Sequence, residues 1–192
     1  MKKMGLLIAL ATVLTVGGVY ATWQYSNVSG VTVADTALGL TIATDNVTSA
    51  AGELGKTGEI AFVIDQKAAN DYHAVLSPVA EKTSINFTWA PATNVGLPEE
   101  WTDGVVITWT LEYTAGSFKE NAILVPAGGA LTGTTGDVTS FEFTANMVTS
   151  ALKINDSLVL DTKAKYDDYV TNATKPTITL KITVAAEPSQ SN

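Results

Sequence analysis

Cysteine and arginine are both missing from this 192-residue chain, and histidine occurs once, at position 73. Without cysteine there is no disulfide framework, thiolate zinc site, iron–sulfur centre or cysteine nucleophile. Without arginine the 11 basic residues are all lysines, and they face 19 acids for a formal charge of −8. Neutralising nucleic-acid phosphates takes clustered basic side chains, so a nucleic-acid partner is excluded, and an anionic membrane surface repels the chain. Charged residues make up 16% against 46% hydrophobic, the balance of a folded domain with a core rather than of a disordered tail. What the chain has in excess is hydroxyl: 28 Thr and 11 Ser. Threonine together with Val and Ile indicates strands.

Long hydrophobic runs are confined to one place. Met1-Lys2-Lys3 is a short positive start, followed by the 13-residue apolar run Met4 to Val16, short for a bilayer span but right for the core of an export signal. Gly17-Gly18 ends the run, and Val19-Tyr20-Ala21 offers a signal-peptidase cut between Ala21 and Thr22. An uncleaved anchor extending to Trp23 is the alternative. Cleavage leaves 171 residues, enough for one domain, and takes away two lysines, so that the mature charge is −10.

Strict alternation is the strongest local signal. Val105, Ile107, Trp109, Leu111 and Tyr113 share one face of a strand opposite Val106, Thr108, Thr110 and Glu112. Ile178, Leu180, Ile182 and Val184 repeat the pattern, as do Ile85, Phe87 and Trp89. Weaker strands are expected at Leu38–Ala43, Glu59–Asp65, Ala122–Val125 and Val138–Ala145, with turns at Ala127–Gly129 and Gly133–Asp137. Two segments read as helices, Gln66–Leu76 before Pro78 and Thr162–Asn172. The expected fold is all-β, an antiparallel jelly-roll-like β-sandwich with short inserted helices. Its parts are a signal peptide at 1–21, an extended segment at 22–34, a sandwich at 35–186 and a flexible tail at 187–192.

The chemistry of catalysis is hard to find in these residues. His73 has no second histidine for a metalloprotease helix and no G-x-S-x-G serine to serve, so it is expected as a solvated surface side chain. The acidic pairs Glu99-Glu100 and Asp167-Asp168, and Asp156 after Asn155, are expected to solvate separately; calcium near Asp161–Asp168 lacks the D-x-D-x-D-G spacing. No cofactor or metal is expected. Trp89 and Trp109 belong to apolar faces, which leaves Trp101 as the one candidate platform for a sugar ring. Five N-x-[ST] sequons occur, at Asn27, Asn46, Asn86, Asn155 and Asn172, with Asn86 expected to be the least accessible because it lies in a strand.

The junction Val16-Gly17-Gly18-Val19-Tyr20-Ala21-Thr22-Trp23-Gln24-Tyr25-Ser26 resembles the G-G-[TV]-[YW]-A-x-[FW] junction of the TasA and camelysin biofilm-fibre proteins, which carry a SipW-type signal peptide. Leu38-Gly39-Leu40-Thr41-Ile42 resembles that family's first strand, and Ile178 to Ala186 its closing strand. The resemblance covers roughly 50 of the 192 positions. It implies secretion to the extracellular matrix or cell surface, no lasting membrane insertion, and self-association into filaments, with other matrix proteins as further partners. It also implies a mechanism. Trp23, Tyr25, Val31 and Val33 alternate in an extended segment, residues 22–34, that would add as a donor strand to the sheet of a neighbouring subunit. Two other readings stand beside this one: the same segment as an ordinary first strand or lead-in, and a monomeric glycan-binding surface module that uses Trp101.

Overall fold

The computed structural model describes residues 40–45, 52–68, 71–91 and 105–185. Eleven strands and two helices follow one another along them: β1 (Leu40–Asp45), β2 (Gly52–Ala68), β3 (Asp71–Pro91), β4 (Val105–Thr114), β5 (Ser117–Phe118), β6 (Asn121–Ala122), β7 (Leu124–Pro126), β8 (Thr132–Val138), β9 (Ser140–Thr144), α1 (Ala145–Ala151), β10 (Leu152–Ile154), α2 (Lys163–Asn172) and β11 (Thr177–Ala185). The fold is an all-β sandwich with two short helices. Seven strands form its main sheet in the order β8-β4-β11-β1-β2-β3-β9.

The alternating sequences form the strands they predict. In β4, Val105, Ile107, Trp109 and Leu111 are buried and the residues between them are not; in β11 the same holds for Ile178, Leu180 and Ile182. These two strands pair without a break from Thr177↔Thr114 to Ala185↔Val106. Outward threonines line their solvent face, where Thr114 and Thr177 share a hydroxyl hydrogen bond of 2.8 Å.

Two strands turn the corners of the sandwich. In β1, Leu40 and Thr41 pair with Phe62 and Ala61 of β2, while Ile42 to Asp45 pair with Ile178 to Lys181 of β11. The second of these pairings is parallel, the one departure from the antiparallel expectation among the described residues. At the other corner β8 pairs with β4, β9 pairs with β3, and only Thr139 separates them; its carbonyl accepts from the Trp89 amide at 2.8 Å. A strand that passes from one sheet to the other is how such corners are made.

Each buried indole sits over a glycine. A Cβ on Gly133 would lie 2.6 Å from the Trp109 ring, and one on Gly52 would lie 1.8 Å from the Trp89 ring. This is why Gly133–Asp137, expected as a turn, is part of strand β8. Glycine there serves close packing rather than chain reversal.

The helix expected at Gln66–Leu76 does not form. Its helix-favouring Gln-Lys-Ala composition is overridden by continuation of the β2–β3 ladder, which runs through Asp65↔Val75 and Gln66↔Ala74 to a reversal between Ala68 and Asp71. The second helix is as expected: α2 starts after Thr162, whose hydroxyl accepts from the Lys165 amide at 3.3 Å. Helix α1 follows the strand expected at Val138–Ala145. It buries Ala145, Val148 and Ala151, a single face too short to register as a periodicity.

Candidate functional site

The sandwich ends on two edge strands, β8 and β9, and among the described residues no strand pairs with their outer sides. They are consecutive in the chain, but Val138 turns its backbone toward β4 and Thr139 toward β3, so the free side of the chain changes at Thr139. The direction of their free hydrogen-bonding groups follows from the register. The Leu111 amide donates to the Leu131 carbonyl at 2.7 Å, and Trp109 faces Gly133 two residues on. Strict alternation then turns the backbone of Gly133 toward β4 and that of Thr132 and Thr134 away from it. On β9 the bond from Trp89 to Thr139 sets the same alternation, so that Phe141 and Phe143 face β3 while Ser140, Glu142 and Thr144 face outward.

Strand β8 reads TGTTGDV, with neither Lys nor Pro, the residues that usually blunt an exposed edge. It carries a bulge, Thr135 and Gly136 standing opposite the single Ile107 of β4, whose amide donates to the Thr135 hydroxyl at 3.0 Å. Beneath the edge the packing is aromatic. Phe143 is fully buried, and Phe141 and Trp109 both meet it edge-on, at 6.3 and 5.3 Å between ring centroids.

Ala21, Thr22, Trp23, Tyr25, Val31 and Val33 fall outside the described residues, as do Trp101 and the Glu99-Glu100 pair. Trp89 and Trp109 are 7% exposed each, core residues as expected.

The polar clusters read as surface ion pairs. His73 is exposed on β3, as expected, although on a strand; its ring bonds to the Asp71 carboxylate, which Lys67 also approaches at 3.4 Å. Those bonds hold the Asp71 carboxyl below its ordinary range, the His73 side chain contributing most. Asp168 is lowered likewise, first by the Asn172 amide at 2.7 Å and then by Lys119 at 3.2 Å. Lys153 does the same for Asp156 at 2.7 Å. Asp161 is paired with Lys165 at 2.8 Å. Among the described residues no three His, Asp or Glu side chains gather as metal ligands would.

A cleft of about 200 Å³ opens beside β5 and β6, lined by Phe118, Lys119, Ile123, Leu158 and Lys165 among others. Both lysines already face carboxylates, so it presents no unspent charge to an anion. The sequons are ordered differently from expectation. Asn86 is exposed on the outer face of β3, whereas Asn155 is held, its amide donating to the Ala122 carbonyl and its oxygen accepting from the Ser157 amide, both at 3.0 Å. A strand position does not hide a side chain that points to solvent.

Among the described residues no helix is long and apolar enough to cross a membrane. No protein-family model matches the sequence, and neither the curated proteins nor the solved structures give a match to it.

Proposed function

We propose that the chain is a secreted structural subunit of extracellular-matrix or surface fibres, without catalysis or cofactor. Residues 22–34 of one copy add as a strand to the open edge of the next. The observation that carries this reading is the edge of β8, Thr132–Val138, which no strand among the described residues pairs and which has neither Lys nor Pro. Main-chain hydrogen bonds along such an edge supply affinity, and alternate side chains of the added strand supply specificity. A terminal segment that meets a different surface on its neighbour makes a heterologous contact, and a heterologous contact that does not close gives a filament. The junction around Trp23 and Tyr25, with its resemblance to the TasA and camelysin proteins, supplies the donor.

The test is truncation. A chain begun at Asp35 keeps every residue of the described core, and it should fold as a monomer that forms no fibres in electron micrographs. Fibres at the yield of the chain begun at Thr22 would overturn the reading.

A further inference from the structure

Every buried hydrophobic side chain among the described residues belongs to the sandwich core except two, Ala61 and Val63. Both lie on β2 between the inward residues Ile60, Phe62 and Ile64, so alternation points them to the outer face. On that face Thr57 and Glu59, a few positions earlier, are exposed, and Glu59 meets Lys82 at 2.8 Å in solvent. Val63, by contrast, is 3% exposed and Ala61 9%. A valine on an uncovered sheet face keeps far more of its surface in water, so this burial calls for a cover that the core does not provide. Cross-strand from Val63 stands Ser77, and from Asp65 stands Val75; both are half-buried. Together Ala61, Val63, Val75 and Ser77 form a small outward patch bordered by the half-buried Asp65.

The chain itself arrives beside this patch. Leu40 pairs with Phe62 and Thr41 with Ala61, so the segment that precedes β1 reaches the sheet at the level of Val63. Val33 stands seven positions before Leu40, a reach of at most ~25 Å for extended chain. That segment also has the right chemistry. Val28, Val31 and Val33 are small and apolar, and no charged residue occurs between Thr22 and Ala34.

We propose that this patch is the seat of residues 22–34 of the same chain. Its consequence, though not its geometry, rests on the fibre reading. One segment cannot cover Val63 and also pair with a neighbour's edge, so in the monomer the patch competes with assembly and withholds the donor strand.

The absence of native cysteine makes the test direct. Ser77→Cys places a single thiol in the patch, and Val75→Cys is a second reporter should the first disturb folding. Labelling by a thiol reagent should be several-fold slower in the chain begun at Thr22 than in the chain begun at Asp35, at concentrations too low for fibres to form. A Val33→Cys/Ser77→Cys pair should close an intramolecular disulfide in dilute solution. Equal labelling rates in the two chains would overturn the proposal. So would protection that grows with concentration, which assigns the cover to a second copy. Because labelling reads the monomer and micrographs read the fibre, either proposal can fail while the other stands.

Discussion

Trp109 of β4 and Phe143 of β9 meet edge to face inside the sandwich, their ring centroids 5.3 Å apart and their planes inclined at 65°. The contact joins one half of the main sheet to the other. It also lies directly behind the unpaired edge, because Trp109 rests on Gly133 of β8 and Phe143 belongs to β9 itself.

The pair should be measurable as a coupling. Trp109→Ala and Phe143→Ala should each cost about 3–5 kcal/mol. The double variant should fall short of their sum by about 0.5–1.5 kcal/mol, the usual worth of such an aromatic contact beyond area. Urea unfolding of the four proteins gives the cycle, and full additivity would deny the contact any specific energy.

Gly133→Ala should destabilise although it adds one methyl group. That methyl would lie 2.6 Å from the indole of Trp109, a ring fixed by its core neighbours, so the strand must shift. Overpacking of this kind costs about 1–3 kcal/mol. Gly136→Ala on the same strand, with open space around its Cβ, is the control and should change little.

Alkaline pH should weaken the fold through two phenols. Burial, helped by Asp167, pushes the Tyr166 hydroxyl up to about 12, and burial with Tyr166 beside it raises Tyr169 as well. In the unfolded chain both ionise near pH 10. Between pH 10 and about 12 the unfolded state therefore binds fewer protons than the folded one, so stability falls as pH rises; below pH 10 the phenols contribute no slope. Urea midpoints from pH 9 to 11.5 should show this decline, and Tyr169→Phe should flatten it.

Thr134→Pro should lower fibre yield sharply while shifting the melting temperature by only a few degrees. Its amide faces away from β4, so no bond of the ladder is lost, and an edge is where a sheet tolerates proline. Circular dichroism melts and electron micrographs read the two effects separately. Undiminished fibres would move the acceptor site to another edge.

Trp23→Ala should slow assembly far more than Trp101→Ala, with light scattering of the two variants as the comparison. Equal effects would take the donor role from Trp23 and Tyr25.

The alternating segments around Trp109, Phe87 and Leu180 were legible because period-two patterning assigns faces without reference to any partner. The Gln66–Leu76 segment misled because its composition favours a helix, and the preference was settled by a ladder whose other half begins at Asp71. Asn86 misled for a related reason: belonging to a strand says nothing about which face a residue takes.

By itself the sequence determined that the fold is built of strands, which residues of each alternating strand enter the core, and that thiol chemistry and paired-histidine metal sites have no residues to use. Tertiary pairing alone set β1 parallel to β11, made Gly133 strand and not turn, and left β8 and β9 as the edges among the described residues. It alone set Ala61 and Val63 apart from the core. Alternation is a property of neighbours along the chain, whereas pairing, edges and cover depend on which distant segments meet, and the hydrophobic pattern leaves that choice open.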